Sequence, residues 1–123
     1  MGNAVITVAS RRKIASAVKA LFRNQKLRDY KVMTFGGEPR VMYITSGRDY
    51  SKKEKDVVYA DFFDVNFNHV DLCIDHENAP VPPPVPQNFS KMIEYSRVLA
   101  QGTKHIRVDF YEVNGKLYTG ELT

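Results

Sequence analysis

The sequence contains a single cysteine, Cys73. An internal disulfide is therefore impossible, and the chain either suits a reducing compartment or is indifferent to one. No apolar run comes near the roughly 20 residues that span a bilayer. No small-residue cleavage site follows an apolar core near the start, which argues against a secretory signal. The expectation is a cytoplasmic protein without a transmembrane segment. Acid is missing from the first 28 residues, which carry Arg11, Arg12, Lys13, Lys19, Arg23, Lys26 and Arg28. The other residues carry 11 basic and 14 acidic side chains, so the net charge of +4 belongs to the N-terminal segment and the rest is mildly acidic.

What is present is a globular composition. The 123 residues are 43% apolar and 26% charged, enough for one domain with one core and too few for two ordinary domains. The chain divides into a basic segment over residues 1–28 and a main domain over residues 29–123. Within the first, residues 4–8 read as a short strand or a helix lead-in. Ile14, Val18, Leu21 and Phe22 then recur on one face of a helix capped by Ser10. Its opposite face is basic. Such a helix packs on its own domain more often than on a membrane or nucleic acid, and nucleic acid is not the expected partner.

The main domain reads as strands with one helix. Runs over 31–35 and 40–45 flank Gly36-Gly37-Glu38-Pro39, a hairpin signal whose glycines suit a turn rather than a phosphate cradle. Residues 48–55 read as a polar loop and 57–63 as a third strand. Val70, Leu72 and Ile74 alternate with Asp71, Cys73 and Asp75, the pattern of a short half-buried strand. His69, Asp71, Asp75 and His76 are metal-ligand types, but their spacing fits no tight metal motif. Five prolines within residues 80–86 make a stiff extended connector. A helix over 89–101 follows, with Asn88 at its N-cap, Gly102 beyond its end, and Phe89, Met92, Ile93, Ser96, Leu99 and Ala100 facing inward. The predicted fold is α+β: an antiparallel sheet of five or six strands with one or two packed helices.

The last two strands, 105–112 and 116–122, surround Val113-Asn114-Gly115. A two-residue Asn-Gly turn would put Glu121 on the face of Ile106, Val108 and Phe110, where an unpaired carboxylate is costly. A three-residue loop avoids this and pairs Glu112 with Lys116. It collects Ile106, Val108, Phe110, Tyr118, Gly120 and Leu122 on one face, and Arg107, Asp109, Tyr111, Leu117, Thr119 and Glu121 on the other. Asp109 and Glu121 then become diagonal neighbours, roughly 7–8 Å apart at Cα. Two carboxylates so placed beside an arginine can chelate hard cations such as magnesium, although charged neighbours are also ordinary on a solvated sheet face.

These segments together resemble the ATP-grasp superfamily, and within it the TupA-like branch of teichuronopeptide biosynthesis. The resemblance rests on Asp29-Tyr30-Lys31, Phe35 to Pro39, Asp61-Phe62-Phe63-Asp64, Met92-Ile93-Glu94, Ile106 to Tyr111, Asn114-Gly115-Lys116 and Gly120-Glu121-Leu122-Thr123. It implies part of the ATP-grasp C-terminal lobe and an ATP- and magnesium-dependent carboxylate–amine ligase acting in cell-surface polymer assembly. By the same resemblance, Asp109 and Glu121 bind magnesium and ATP. Arg107 stabilises phosphoryl or acyl-phosphate charge, and Thr123 stands where the superfamily usually has a metal-binding asparagine. The upstream glycine-rich lobe has no match here. The chain is thus expected to be a fragment or degenerate copy, inactive alone. The alternative is a non-catalytic binding or assembly module, with the basic helix mediating self-association or contact with an anionic partner.

Overall fold

A computed structural model of the chain describes residues 26–49 and 58–123. The strand and basic helix expected over 4–22 lie outside the described residues. Six strands form one antiparallel sheet: β1 (Lys26–Phe35), β2 (Glu38–Asp49), β3 (Tyr59–Asp64), β4 (His69–Val70), β5 (His105–Val113) and β6 (Lys116–Leu122). Their spatial order is β4-β3-β2-β1-β5-β6. Among the described residues one helix, α1 (Phe89–Leu99), packs across β1, β2 and β5. No helix among the described residues is long and apolar enough to cross a membrane.

The first hairpin follows the sequence signal. Gly36 and Gly37 both take positive φ, 60° and 83°, which a side chain would resist. β2 runs on to Asp49, so Arg48 and Asp49 belong to a strand rather than to the polar loop expected there.

The alternating stretch after Val70 is not a strand. Leu72 and Ile74 are 39% and 50% exposed. The reason lies on the outer edge of β3, which is already paired. Ala60 N–H donates to the Glu77 carbonyl, Asn78 Nδ2 donates to the Ala60 carbonyl, and Ala79 N–H donates to the Asp61 side-chain carboxylate. Only Phe62 and Phe63 remain to pair with β4.

Tyr30, Val32, Met42, Ile44, Phe63, Val108, Phe110 and Leu117 from the sheet and Met92 from α1 form the core, with Phe89, Ile93 and Leu99 packed around it. The inward face expected for the helix is thus the one it buries. Asn88 precedes α1 without a side-chain capping bond. Glu112 serves the helix start instead. Its carboxylate accepts the Gln87 and Asn88 backbone N–H groups at 3.1 and 2.8 Å and Asn88 Nδ2 at 3.1 Å. A carboxylate there also complements the positive end of the helix dipole.

The β5–β6 hairpin corrects the expected register. Val113 pairs with Lys116, Glu112 with Leu117, Tyr111 with Tyr118 and Phe110 with Thr119. The turn is the two-residue Asn114-Gly115 form, with φ of 51° and 77°. Leu117 therefore enters the core and Tyr118 does not. Beyond Thr119 a bulge leaves Gly120 as an extra residue, and pairing resumes with Asp109 opposite Glu121 and Val108 opposite Leu122.

Candidate functional site

The sheet face turned away from α1 carries the polar residues. Strand pairing aligns them in rows that cross the sheet. Phe62 on β3 lies opposite Tyr43 on β2, Tyr43 opposite Lys31 on β1, Lys31 opposite Asp109 on β5, and Asp109 opposite Glu121 on β6. In the neighbouring row Val41, Met33 and Arg107 are paired in turn. Arg107 also exchanges both backbone hydrogen bonds with Thr123, at 2.8 and 2.9 Å. The bulge at Gly120 makes Asp109 and Glu121 direct partners rather than the diagonal pair expected. Direct partners stand about 4.5–5.5 Å apart at Cα.

Gly120 is required by its neighbour. A Cβ there would lie 2.7 Å from Tyr111 Cε2, because the buried Tyr111 ring lies over it.

Asp109 is only 4% exposed. Arg107 grips it with a two-pronged fork, Nε to Oδ1 at 2.8 Å and Nη2 to Oδ2 at 3.0 Å. Lys31 Nζ donates to Oδ2 at 3.3 Å. The third arm of the guanidinium, Nη1, donates to Tyr43 Oη at 3.1 Å. This fork is the geometry that fixes an arginine most firmly. Two cations, Arg107 and Lys31, share the Asp109 carboxylate. Burial opposes the charge of Arg107, but its bonds to Asp109, the Asp109 charge and then Tyr43 hold its pKa above the ordinary value. Burial raises the Tyr43 phenol, against Arg107.

Beside the cluster lies a cleft of about 320 Å³. Its floor includes Tyr43 and Phe62, whose rings stack at 5.2 Å. Lys31 and Met33 line it from β1, Ala60 and Phe62 from β3, and residues 74–76 complete the lining.

Of the residues singled out in the sequence, Arg107 and Asp109 meet directly, and Glu121 and Thr123 occupy the register positions opposite them. The side chain of Glu121 lies outside the described residues. Lys31 and Tyr43 were missed. Their signal was faint: Lys31 alternates with the buried Tyr30 and Val32, but nothing in the sequence names its partners across the sheet. The other candidate ligands do not gather. His69 lies 3.2 Å from the buried Asp61, and no group of three His, Cys, Asp or Glu suited to a metal occurs among the described residues.

Comparison with known proteins adds the following. The family model described as TupA-like ATP-grasp matches residues 10–123. The match reaches into the basic segment as well as covering the sheet. A crystal structure of D-alanine–D-alanine ligase from Bacillus anthracis aligns with 91% of this chain at 15% identity and a TM-score of 0.43. The chain spans 36% of the length of that ligase. No curated protein matches.

Proposed function

Because the chain belongs to the TupA-like ATP-grasp family, we propose that its polar sheet face is one wall of an ATP- and magnesium-dependent carboxylate–amine ligase site serving cell-surface polymer assembly. The observation that carries this reading is the Arg107–Asp109 fork beside Lys31, on an open sheet face. A guanidinium held rigid by a buried carboxylate is oriented before any anion arrives, and charge developing on a phosphoryl group then meets a donor that need not reorganise. Arg107 is the catalytic residue of the proposal. Asp109 holds its fork in place, and Lys31 adds a second cation.

The donor chemistry fits magnesium. Asp109, Glu121 and Thr123 are all oxygen donors, and their register positions adjoin. A carboxylate offers about four lone-pair sites, and three N–H donors engage Asp109 from Arg107 and Lys31. Asp109 would therefore share itself between the cations and the metal. When bound, magnesium would neutralise nucleotide phosphate charge.

A single wall does not enclose a nucleotide. The Gly36-Gly37 pair closes a hairpin. We accordingly propose that this chain alone binds nucleotide without ligating. Thermal unfolding with and without ATP and magnesium tests the reading. The wild type should gain stability, by about 2.7 kcal/mol at a nucleotide concentration one hundred times Kd. Asp109→Asn should lose that gain, and Arg107→Lys should bind at least about tenfold more weakly, because one charged hydrogen bond is worth about 1.5–3 kcal/mol. Equal stabilisation of all three proteins would count against the reading. ATP turnover by the chain with a carboxylate substrate would overturn its inactive half.

A further inference from the structure

The proline-rich stretch ahead of α1 takes no part in the sheet-face site. The rings of Pro80, Pro82, Pro83, Pro84 and Pro86 fix φ, and the residue before each is held out of the helical region. Residues 82–86 accordingly belong to no strand, helix or turn. A polyproline helix has three residues per turn, so its side chains form three ridges. Burial follows that period: residues 81–86 run exposed, exposed, buried, twice over. Pro83 and Pro86 make the buried ridge. Val81 and Pro84 make the second ridge, and Pro82 and Val85 the third.

A stretch that only joined β4 to α1 would turn its valines inward. Here two prolines are buried instead, while Val81 is 79% and Val85 54% exposed. The segment is also tied down at both ends. Before it, Asn78 Nδ2 donates to the Ala60 carbonyl at 2.9 Å and Ala79 N–H to the buried Asp61 carboxylate at 3.2 Å. After it, Glu112 accepts the Gln87 and Asn88 N–H groups. Between these anchors, among the described residues, no backbone group of residues 80–85 makes a backbone hydrogen bond. Its carbonyls face outward as acceptors. No charged residue stands between Glu77 and Lys91.

We infer that residues 81–85 are a docking ridge for a partner protein that reads polyproline through an aromatic-lined groove. A groove closes on two ridges of a three-ridged helix and leaves the third outside. In this chain the third is the ridge already buried on its own domain. Val81-Pro82 and Pro84-Val85 present two apolar pairs three residues apart. The run Val81-Pro82-Pro83-Pro84-Val85 reads alike in both directions, so either chain direction offers a groove the same side chains. The absence of charge leaves recognition to rings and carbonyls, which fits an aromatic groove and not a polyanion or an anionic membrane. Because prolines and end anchors order the segment beforehand, docking costs little conformational entropy. The inference stands apart from the ligase reading.

The test titrates the 123-residue chain into three isolated proline-reading domains, of the SH3, WW and EVH1 types. Groove tryptophan fluorescence reports binding, since the chain itself has no tryptophan. At least one domain should bind saturably. Val81→Ser/Val85→Ser should bind it at least about tenfold more weakly, because two anchors are cut at once. Pro82→Ala/Pro84→Ala should also weaken binding. The valine positions are exposed, so that variant should keep the wild-type unfolding temperature and ATP-dependent stabilisation, and it decides alone if the proline variant folds poorly. The inference is overturned if none of the three domains responds at about millimolar chain, or if the valine variant binds as well as wild type. It is overturned equally if the chain self-associates through these valines, which would make a second copy the occupant.

Discussion

Arg107 reaches Asp109 on its own strand and Tyr43 two strands away. That Arg107 and Asp109 share a face was legible, because residues two apart in a strand point the same way. The link to Tyr43 was not legible, because it depends on β1 lying between β2 and β5. Tyr43 makes the cluster observable by pH. Burial raises its phenol above the ordinary value of 10.0, as it does for Tyr30. A phenol raised on folding keeps its proton longer in the folded than in the unfolded chain. Stability is therefore unaffected below about pH 10 and falls as pH rises through the unfolded and then the folded value. Tyr43→Phe should make the alkaline fall shallower and remove one late step from the ultraviolet phenolate titration. A Tyr43 that ionises at or below the ordinary value would contradict the packing described.

At the scale of the element, the β5–β6 hairpin shows where pattern reading stops. Its objection to a two-residue turn was sound in one respect: uninterrupted pairing from Asn114-Gly115 would place Glu121 on the apolar side. The chain keeps that turn and resolves the conflict seven residues from Val113, with a bulge. One inserted residue reverses the alternation of everything beyond it. Leu117 thus enters the core near the turn, while Glu121 comes opposite Asp109 past the bulge. The glycine at this bulge is set by Tyr111, whose ring occupies the place of a Cβ. Gly120→Ala should lower stability by about 1–3 kcal/mol, as overpacking does, measured by denaturant unfolding. It should also weaken the ATP-dependent stabilisation, because it displaces the register that aligns Glu121 and Thr123 with Asp109 and Arg107. The double variant with Tyr111→Leu should recover most of the lost stability. A Gly120→Ala protein as stable as wild type would mean that the ring moves aside freely.

For the whole molecule, the deciding fact is that β1 lies inside the sheet between β2 and β5. Its pairing with β2 is local, but its pairing with β5 joins residues such as Val32 and Val108, far apart in the chain. Both strands bury their inner side chains under α1. Amides of β1, β2 and β5 facing each other should therefore exchange last with solvent, close to the global unfolding limit. Those of β4 and residues 71–77 should exchange first, since few buried contacts hold them. Hydrogen exchange followed residue by residue checks this ordering. From its sequence alone the protein was determined to be α+β, with two hairpins closed by glycine turns, one helix with a known inner face, and an arginine and aspartate on a polar strand face. Those properties are local: they follow from side-chain periodicity and from the backbone freedom of glycine. Tertiary structure alone decided the strand order, the bulge at Gly120, the loss of a strand beyond Val70, and the meeting of Lys31, Tyr43, Arg107 and Asp109. These depend on which edges are already paired and which side chains compete for one space, and no period in a single strand carries that information.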